Sequence, residues 1–253
     1  MSSDQLGRKV SDYLSRLHMG ERTELGPAEL AAGYLRTYLT GEDPLLTDVW
    51  PAVGRHFNEQ LESNPDPLVI SASDVVAVSF LSVNLPAKAA WTILTDLRAQ
   101  LTKTLVKIPD DLFIEDPRCN YELYATEEAS GELAPLQELW DLLRRDPQGR
   151  KWGMGATTTS KLMARKRPGL VPVQDSVVVN ALGAEDSTYW LMWWQAMHLT
   201  DDSGSAFVAN FARAACEAVP AAANLSLLRV LDIVIWMHAS YQVGRYEARV
   251  QDN

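Results

Sequence analysis

Gly153-Met-Gly-Ala-Thr-Thr-Thr-Ser-Lys161-Leu-Met-Ala-Arg-Lys-Arg-Pro168-Gly-Leu-Val-Pro-Val-Gln-Asp175 is the stretch on which the reading of this chain turns. Two glycines open a basic segment, a proline stops it, and a single carboxylate follows. Glycine reaches positive φ at low cost, so Gly153 and Gly155 predict a tight turn. Thr157, Thr158 and Thr159 each offer a hydroxyl to cap the helix behind that turn. A helix starting there points several backbone N–H groups outward, and such groups bind phosphate well. Lys161 and Arg165 fall on one face of the helix, with Leu162 and Met163 turned inward. Pro168 prevents continuation.

Charge sets the stretch apart. Residues 144–167 hold eight Lys/Arg (Arg144, Arg145, Arg150, Lys151, Lys161, Arg165, Lys166 and Arg167) against one acid, Asp146. Everywhere else 15 bases face 32 acids, in a chain of formal net charge −10. Such a split predicts an anionic partner at one place and solubility elsewhere. It argues against indiscriminate nucleic-acid binding, which needs widespread Lys/Arg, but leaves room for one local docking site.

Around the stretch, helical periodicity dominates. Val10, Tyr13, Leu14 and Leu17 repeat at helical spacing, with Gly20 as a stop. The segment from Pro27 reads as a helix ending at Gly41, with proline in its first turn. Ser71 to Asp74 offers caps for the run Val75–Val83, where a strand competes with a helix. One apolar stripe (Ala90, Ile93, Leu94, Leu97, Leu101, Leu105) predicts a helix over Pro86–Lys107. Pro109–Gly131 reads as a long acidic loop with a solvated surface. Leu136, Leu139, Trp140 and Leu143 mark a helix leading into the basic stretch. Helices are expected again at Ser176–Leu182, Asp186–Leu199, Ala206–Val219 and Leu225–Tyr241. The expectation is an all-α protein of about ten helices: one domain, or two lobes at about 1–130 and 131–253 with the hairpin at 144–175.

Several classes drop out. Cys119 and Cys216 form no CxxC and no Cys/His cluster, which excludes a cysteine-based metal site and a disulfide framework. His18, His56, His198 and His238 lack ligand spacing, so no metal is expected. No P-loop, dinucleotide fingerprint or nucleophile elbow occurs, and no cofactor is called for. The beginning of the chain lacks a signal-peptide pattern, and the most apolar run, Leu225–Ala239, contains Arg229 and Asp232. A cytoplasmic protein with no membrane partner is the expectation. The cluster Tyr189, Trp190, Trp193 and Trp194 reads as core, with base stacking as the alternative.

Gly153-Met-Gly155-Ala-Thr-Thr-Thr followed by Pro-Val-Gln-Asp175-Ser-Val-Val resembles the helix-hairpin-helix and downstream aspartate of the helix-hairpin-helix DNA glycosylase superfamily. The likeness covers about 30 of 253 residues. It implies a two-lobed all-α fold in which backbone amides of the hairpin grip a DNA phosphate. It further implies that Gly153, Gly155, Thr157, Lys161, Arg165, Lys166 and Arg167 form the phosphate side of the site and Asp175 the catalytic carboxylate. Thr157 stands where members with lyase activity carry lysine, so a glycosylase of this kind hydrolyses without a Schiff base. Lys151-Trp152 also replaces the usual Leu-Pro. Ser160 to Asp175 additionally resembles a bacterial family of uncharacterised proteins. For Asp175 a plain helix-capping role is the competing reading. The functional expectation is a DNA-associated, glycosylase-like protein; the alternative is a non-catalytic helical protein whose basic patch binds nucleic acid, an acidic protein or a small anion.

Overall fold

The computed structural model describes residues 5–17, 25–42, 53–120, 134–201 and 204–251. In chain order the α-helices are α1 (Gln5–Ser15), α2 (Pro27–Thr40), α3 (Ala72–Ser79), α4 (Ala87–Leu94), α5 (Arg98–Val106), α6 (Ala134–Arg144), α7 (Ala156–Lys166), α8 (Ser176–Leu182), α9 (Tyr189–His198), α10 (Phe207–Glu217) and α11 (Leu227–Gln251). Short 3-10 turns occupy Val53–Asn58, Asp186–Thr188 and Pro220–Ala222. No strand forms among the described residues, where isolated bridges pair Arg145 with Lys151 and Thr200 with Ala206. The protein is all-α. Gly20, His18 and residues 121–131 of the expected acidic loop lie outside the described residues.

Contacts divide the chain into two compact units: Met1–Ala52 with Asp175–Asn253, and Val53–Gln174. A division near residue 130 is therefore replaced by a discontinuous one. The cause is the apolar face of α2, which is covered by α10 and α11 from the far end of the chain.

In the first unit, α1 buries Val10 and Leu14 and packs on α9. Gly7 permits the close crossing, since an added Cβ would stand 2.8 Å from the Ala196 backbone nitrogen. Helix α2 is opened by Gly26, whose N–H donates to Glu29 Oε2 at 2.9 Å, and closed by Gly41 at φ 74°. Tyr34 and Tyr38 on α2 receive the polar groups that α11 carries inward. Arg229 bonds Asp232 and donates to Tyr38 Oη at 2.8 Å, and Tyr34 Oη lies 3.1 Å from His238 Nδ1. These groups are buried in apolar surroundings, which tolerate charge only when it is paired. Tyr189 and Trp193 are buried edge to face and belong to the core, while Trp190 and Trp194 of the same cluster are half-buried.

In the second unit, Ser71 and Asp74 form a capping box, and the valine run folds as α3 rather than a strand. The segment Pro86–Lys107 breaks into α4 and α5. Thr95 leaves helical geometry (φ −119°, ψ −83°), and its hydroxyl donates to Trp91 O at 2.8 Å. The apolar stripe survives the break, with Ile93, Leu97, Leu101 and Leu105 buried. In the described part of the acidic loop, Leu112, Ile114 and Cys119 are also buried.

Candidate anion-binding cleft

Residues 145–155 join α6 to α7, and the two helices pack together. Asp146 organises this connection. Its buried carboxylate accepts from Gln148 N at 3.0 Å, Arg150 N at 2.8 Å and Arg150 Nε at 2.8 Å. The Arg150 bond holds the Asp146 carboxyl below the usual carboxylate range, although desolvation pulls the other way. Trp152 Nε1 donates to Leu143 O at 2.9 Å and ties the far arm to the end of α6. Gly153 sits at φ 89°, and a Cβ there would stand 2.8 Å from Pro86 Cγ. Both facts require glycine.

Two local expectations are corrected. Gly155 is extended (φ −76°, ψ 175°), a conformation open to any residue, so only Gly153 supplies the positive φ. Gly155 itself is the N-cap of α7, without a side-chain cap, and the three threonines lie inside the first turns of the helix. Gly155 thus offers no side-chain oxygen to the leading N–H groups of α7.

The cations of α7 do not face outward. Lys161 Nζ donates to Leu81 O at 2.8 Å, beyond the end of α3. Arg165 bonds Asp74 Oδ1 at 3.2 Å, Phe57 O at 2.6 Å and Glu59 O at 2.8 Å. Lys166 Nζ reaches Asp74 Oδ2 at 3.0 Å and Asp66 O at 2.8 Å. Arg167 donates to Leu105 O at 2.6 Å and Ile108 O at 3.0 Å at the end of α5, and to Pro67 O at 3.0 Å. Its burial lowers the guanidinium pKa, while Asp110 raises it. Lys161, Arg165, Lys166 and Arg167, expected on the phosphate side of the site, are therefore turned inward. Carbonyls at or near helix ends and one carboxylate attract these cations because those oxygens carry partial or full negative charge.

What remains at the surface is the earlier half of the basic stretch. Trp140, Arg144, Arg145, Lys151, Gly153 and Gly155 line a cleft of about 550 Å³ at the start of α7. The Arg144 guanidinium lies 5.0 Å from the centre of the Trp140 ring. Arg145 and Lys151 are exposed. Asp141 also lines the cleft, so three cations face one carboxylate. Among the expected site residues, only the two glycines reach this place. Arg144, Arg145 and Lys151 belong to the basic stretch 144–167 expected to meet an anionic partner, whereas Trp140 was read only as part of the helix before it; its spacing of four from Arg144 on α6 is the signal that pairs them. The cleft can hold an anion by charge and backbone donors together. Among the described residues no group of three or more His, Cys, Asp or Glu side chains is placed to hold a metal ion.

Asp175 belongs to the other unit. It is the N-cap of α8, and its Oδ1 accepts from Val177 N at 3.0 Å. Its charge is felt by two phenols of that unit. Burial first, and then neighbouring carboxylates including Asp175, raise the pKa of Tyr189; burial likewise raises Tyr38, with Asp175 a smaller contributor.

Comparison with protein families decides the kinship of the chain. It belongs to the DUF6308 family. That family is described as one of unknown function, and the match runs over residues 31–239. The DUF6308 match takes in the hairpin, the buried cations and Asp175 alike, in agreement with the expected kinship to uncharacterised proteins. No curated protein and no solved structure matches the chain. DUF6308 membership supplies no activity, so function rests on the residues. Among the described residues of this DUF6308 chain, no helix is long and apolar enough to cross a membrane.

Proposed function

We propose that this protein binds nucleic acid through phosphate held in the cleft at the start of α7, and that it does so without cleaving the glycosidic bond. The supporting observation is the convergence of Arg144, Arg145 and Lys151 with the uncapped N-terminus of α7 around one cavity large enough for a nucleotide. Guanidinium groups suit phosphate because their fork matches two oxygens. Gly153, Met154 and Gly155 line the cleft at the start of α7, and this supports the helix-hairpin-helix resemblance.

The hydrolytic part of the resemblance has less behind it. One oxygen of Asp175 accepts the Val177 N–H, the ordinary duty of an N-cap aspartate. Asparagine caps a helix about as well as aspartate, so Asp175→Asn separates the roles.

Titration of a fluorescein-labelled 20-nucleotide DNA, followed by anisotropy at several salt concentrations, tests the binding reading. Combined replacement of Arg144, Arg145 and Lys151 by alanine is expected to weaken binding at least tenfold and to flatten its salt dependence, because each lost phosphate contact removes a released counterion. Unaltered affinity in that variant would refute the assignment. Base release from modified duplexes by the wild-type protein, lost in Asp175→Asn, would restore the hydrolase.

A further inference from the structure

The cleft is bordered on its Gly153 side by α4. Pro86, the N-cap of α4, stands against Gly153, and Lys88 Nζ lies 3.9 Å from Asp146 Oδ2, the oxygen that also receives Arg150. Lys88 and Arg150 remain largely exposed, at 69% and 65% of their side-chain surface. One helical turn beyond Lys88 on the same side of α4 comes Trp91. Its side chain is the most exposed large hydrophobic residue in its unit, at 69%. This open indole stands one turn from the exposed Lys88, so a flat π-face and a cation are offered side by side on α4.

We infer that the surface running from Trp140 through Arg144, Arg145, Lys151, Arg150 and Lys88 to Trp91 is a track for single-stranded nucleic acid, with a base stacked on Trp91. The inference rests on the phosphate reading of the cleft and adds the class of strand. Five cations lie between one aromatic side chain at each end of the track: phosphates meet the cations while an unpaired base offers its π-face to the indole. A duplex fits less well. Its bases are stacked on one another, so an indole engages one only after a step is unstacked, at a cost of a few kcal/mol. The cations here are also few, in a chain of net charge −10, so long-range attraction to the dense charge of a duplex is weak. Stacking then supplies affinity that charge does not.

The test uses the full chain, a labelled dT20 strand, a labelled duplex of the same length, and inorganic tripolyphosphate as a competitor. The single strand is expected to bind at least tenfold more tightly than the duplex, and Trp91→Ala to weaken the single strand by roughly tenfold, which corresponds to about 1.4 kcal/mol. Trp91→Phe should recover most of that loss, and tripolyphosphate should bind wild type and Trp91→Ala equally. Equal affinity for strand and duplex, with Trp91→Ala silent while tripolyphosphate still binds at the cleft, overturns the track and leaves the phosphate site standing. Failure of dT20, duplex and tripolyphosphate all to bind removes the phosphate site and the track together. Tighter binding of the duplex than of the strand overturns the track in favour of duplex docking.

Discussion

Lys166 and Asp74 meet at 3.0 Å with each side chain less than a tenth exposed, across 92 residues of sequence. Arg165 shares the same carboxylate at 3.2 Å. Two cations that belong to the most basic segment of the chain are thereby withdrawn from water and used to hold α7 against α3.

Removing Asp74 should therefore be costly. A buried cation left without its carboxylate typically destabilises by about 3–5 kcal/mol, and two are stranded here. Asp74→Ala is expected to lower unfolding free energy by at least that amount in urea denaturation. Arg144→Ala and Arg145→Ala, at the surface, should stay within about 0.5 kcal/mol of wild type. A loss below about 1 kcal/mol for Asp74→Ala would mean that the pairing does not hold the unit together.

The two hairpin glycines should behave differently. Alanine at Gly153 must adopt φ 89° and displace Pro86, whereas at Gly155 nothing lies within 4 Å and the backbone is extended. Gly153→Ala is expected to cost about 1–2 kcal/mol or more from the backbone alone, and Gly155→Ala less, about 0.5–1 kcal/mol, because glycine is a better N-cap than alanine. Thermal melting of the two variants side by side measures the contrast, and equal melting points would contradict it.

The hairpin should loosen in acid. Arg150 depresses the Asp146 pKa in the folded state, while an unfolded aspartate titrates near about 3.9. Stability from Asp146 is thus present above that pH and is lost as pH falls through the depressed folded value. Asp146→Asn should lower stability at pH 7 and remove this part of the acid dependence. Matching acid unfolding curves for the variant and wild type would show that Asp146 does not contribute.

The cysteines should be slow. Burial, with help from Asp116 and Glu115, pushes the Cys119 thiol up to about 12, and burial raises Cys216 as well. The thiolate is the reacting form, so at pH 8 Ellman's reagent should leave Cys119 unmodified in the native protein and label it only after denaturation. Rapid native labelling of Cys119 would contradict its burial.

Much of the fold was legible in the residues. The stripe Ile93, Leu97, Leu101, Leu105 marked core positions correctly although Thr95 broke the helix between them. Hydrophobic periodicity survives a local break because burial is read position by position. Asp175 capping α8 was visible as well, since Asp followed by Ser-Val-Val is a local signal. The candidate site was legible only in part. Gly153 pointed to the turn, and the charge excess at 144–167 took in Arg144, Arg145 and Lys151, but the phosphate side was assigned to Lys161, Arg165, Lys166 and Arg167, whose side chains turn inward.

A helix is written in spacings of three and four residues, and caps and turns in shorter ones. Local chemistry alone was therefore enough to establish an all-α chain, the turn at Gly153 and the start of α8. The direction in which the α7 cations point carries no such local mark. Lys161, Lys166 and Arg167 find Leu81 O, Asp74 and Leu105 O at separations of 80, 92 and 62 residues. Charge on a helix reveals its sign from the residue type. Whether that charge meets water or a distant carbonyl depends on which helix ends the fold brings beside it. The packing of α7 with α3, and the place where α5 ends, turned four cations inward and left Arg144, Arg145 and Lys151 lining the cleft.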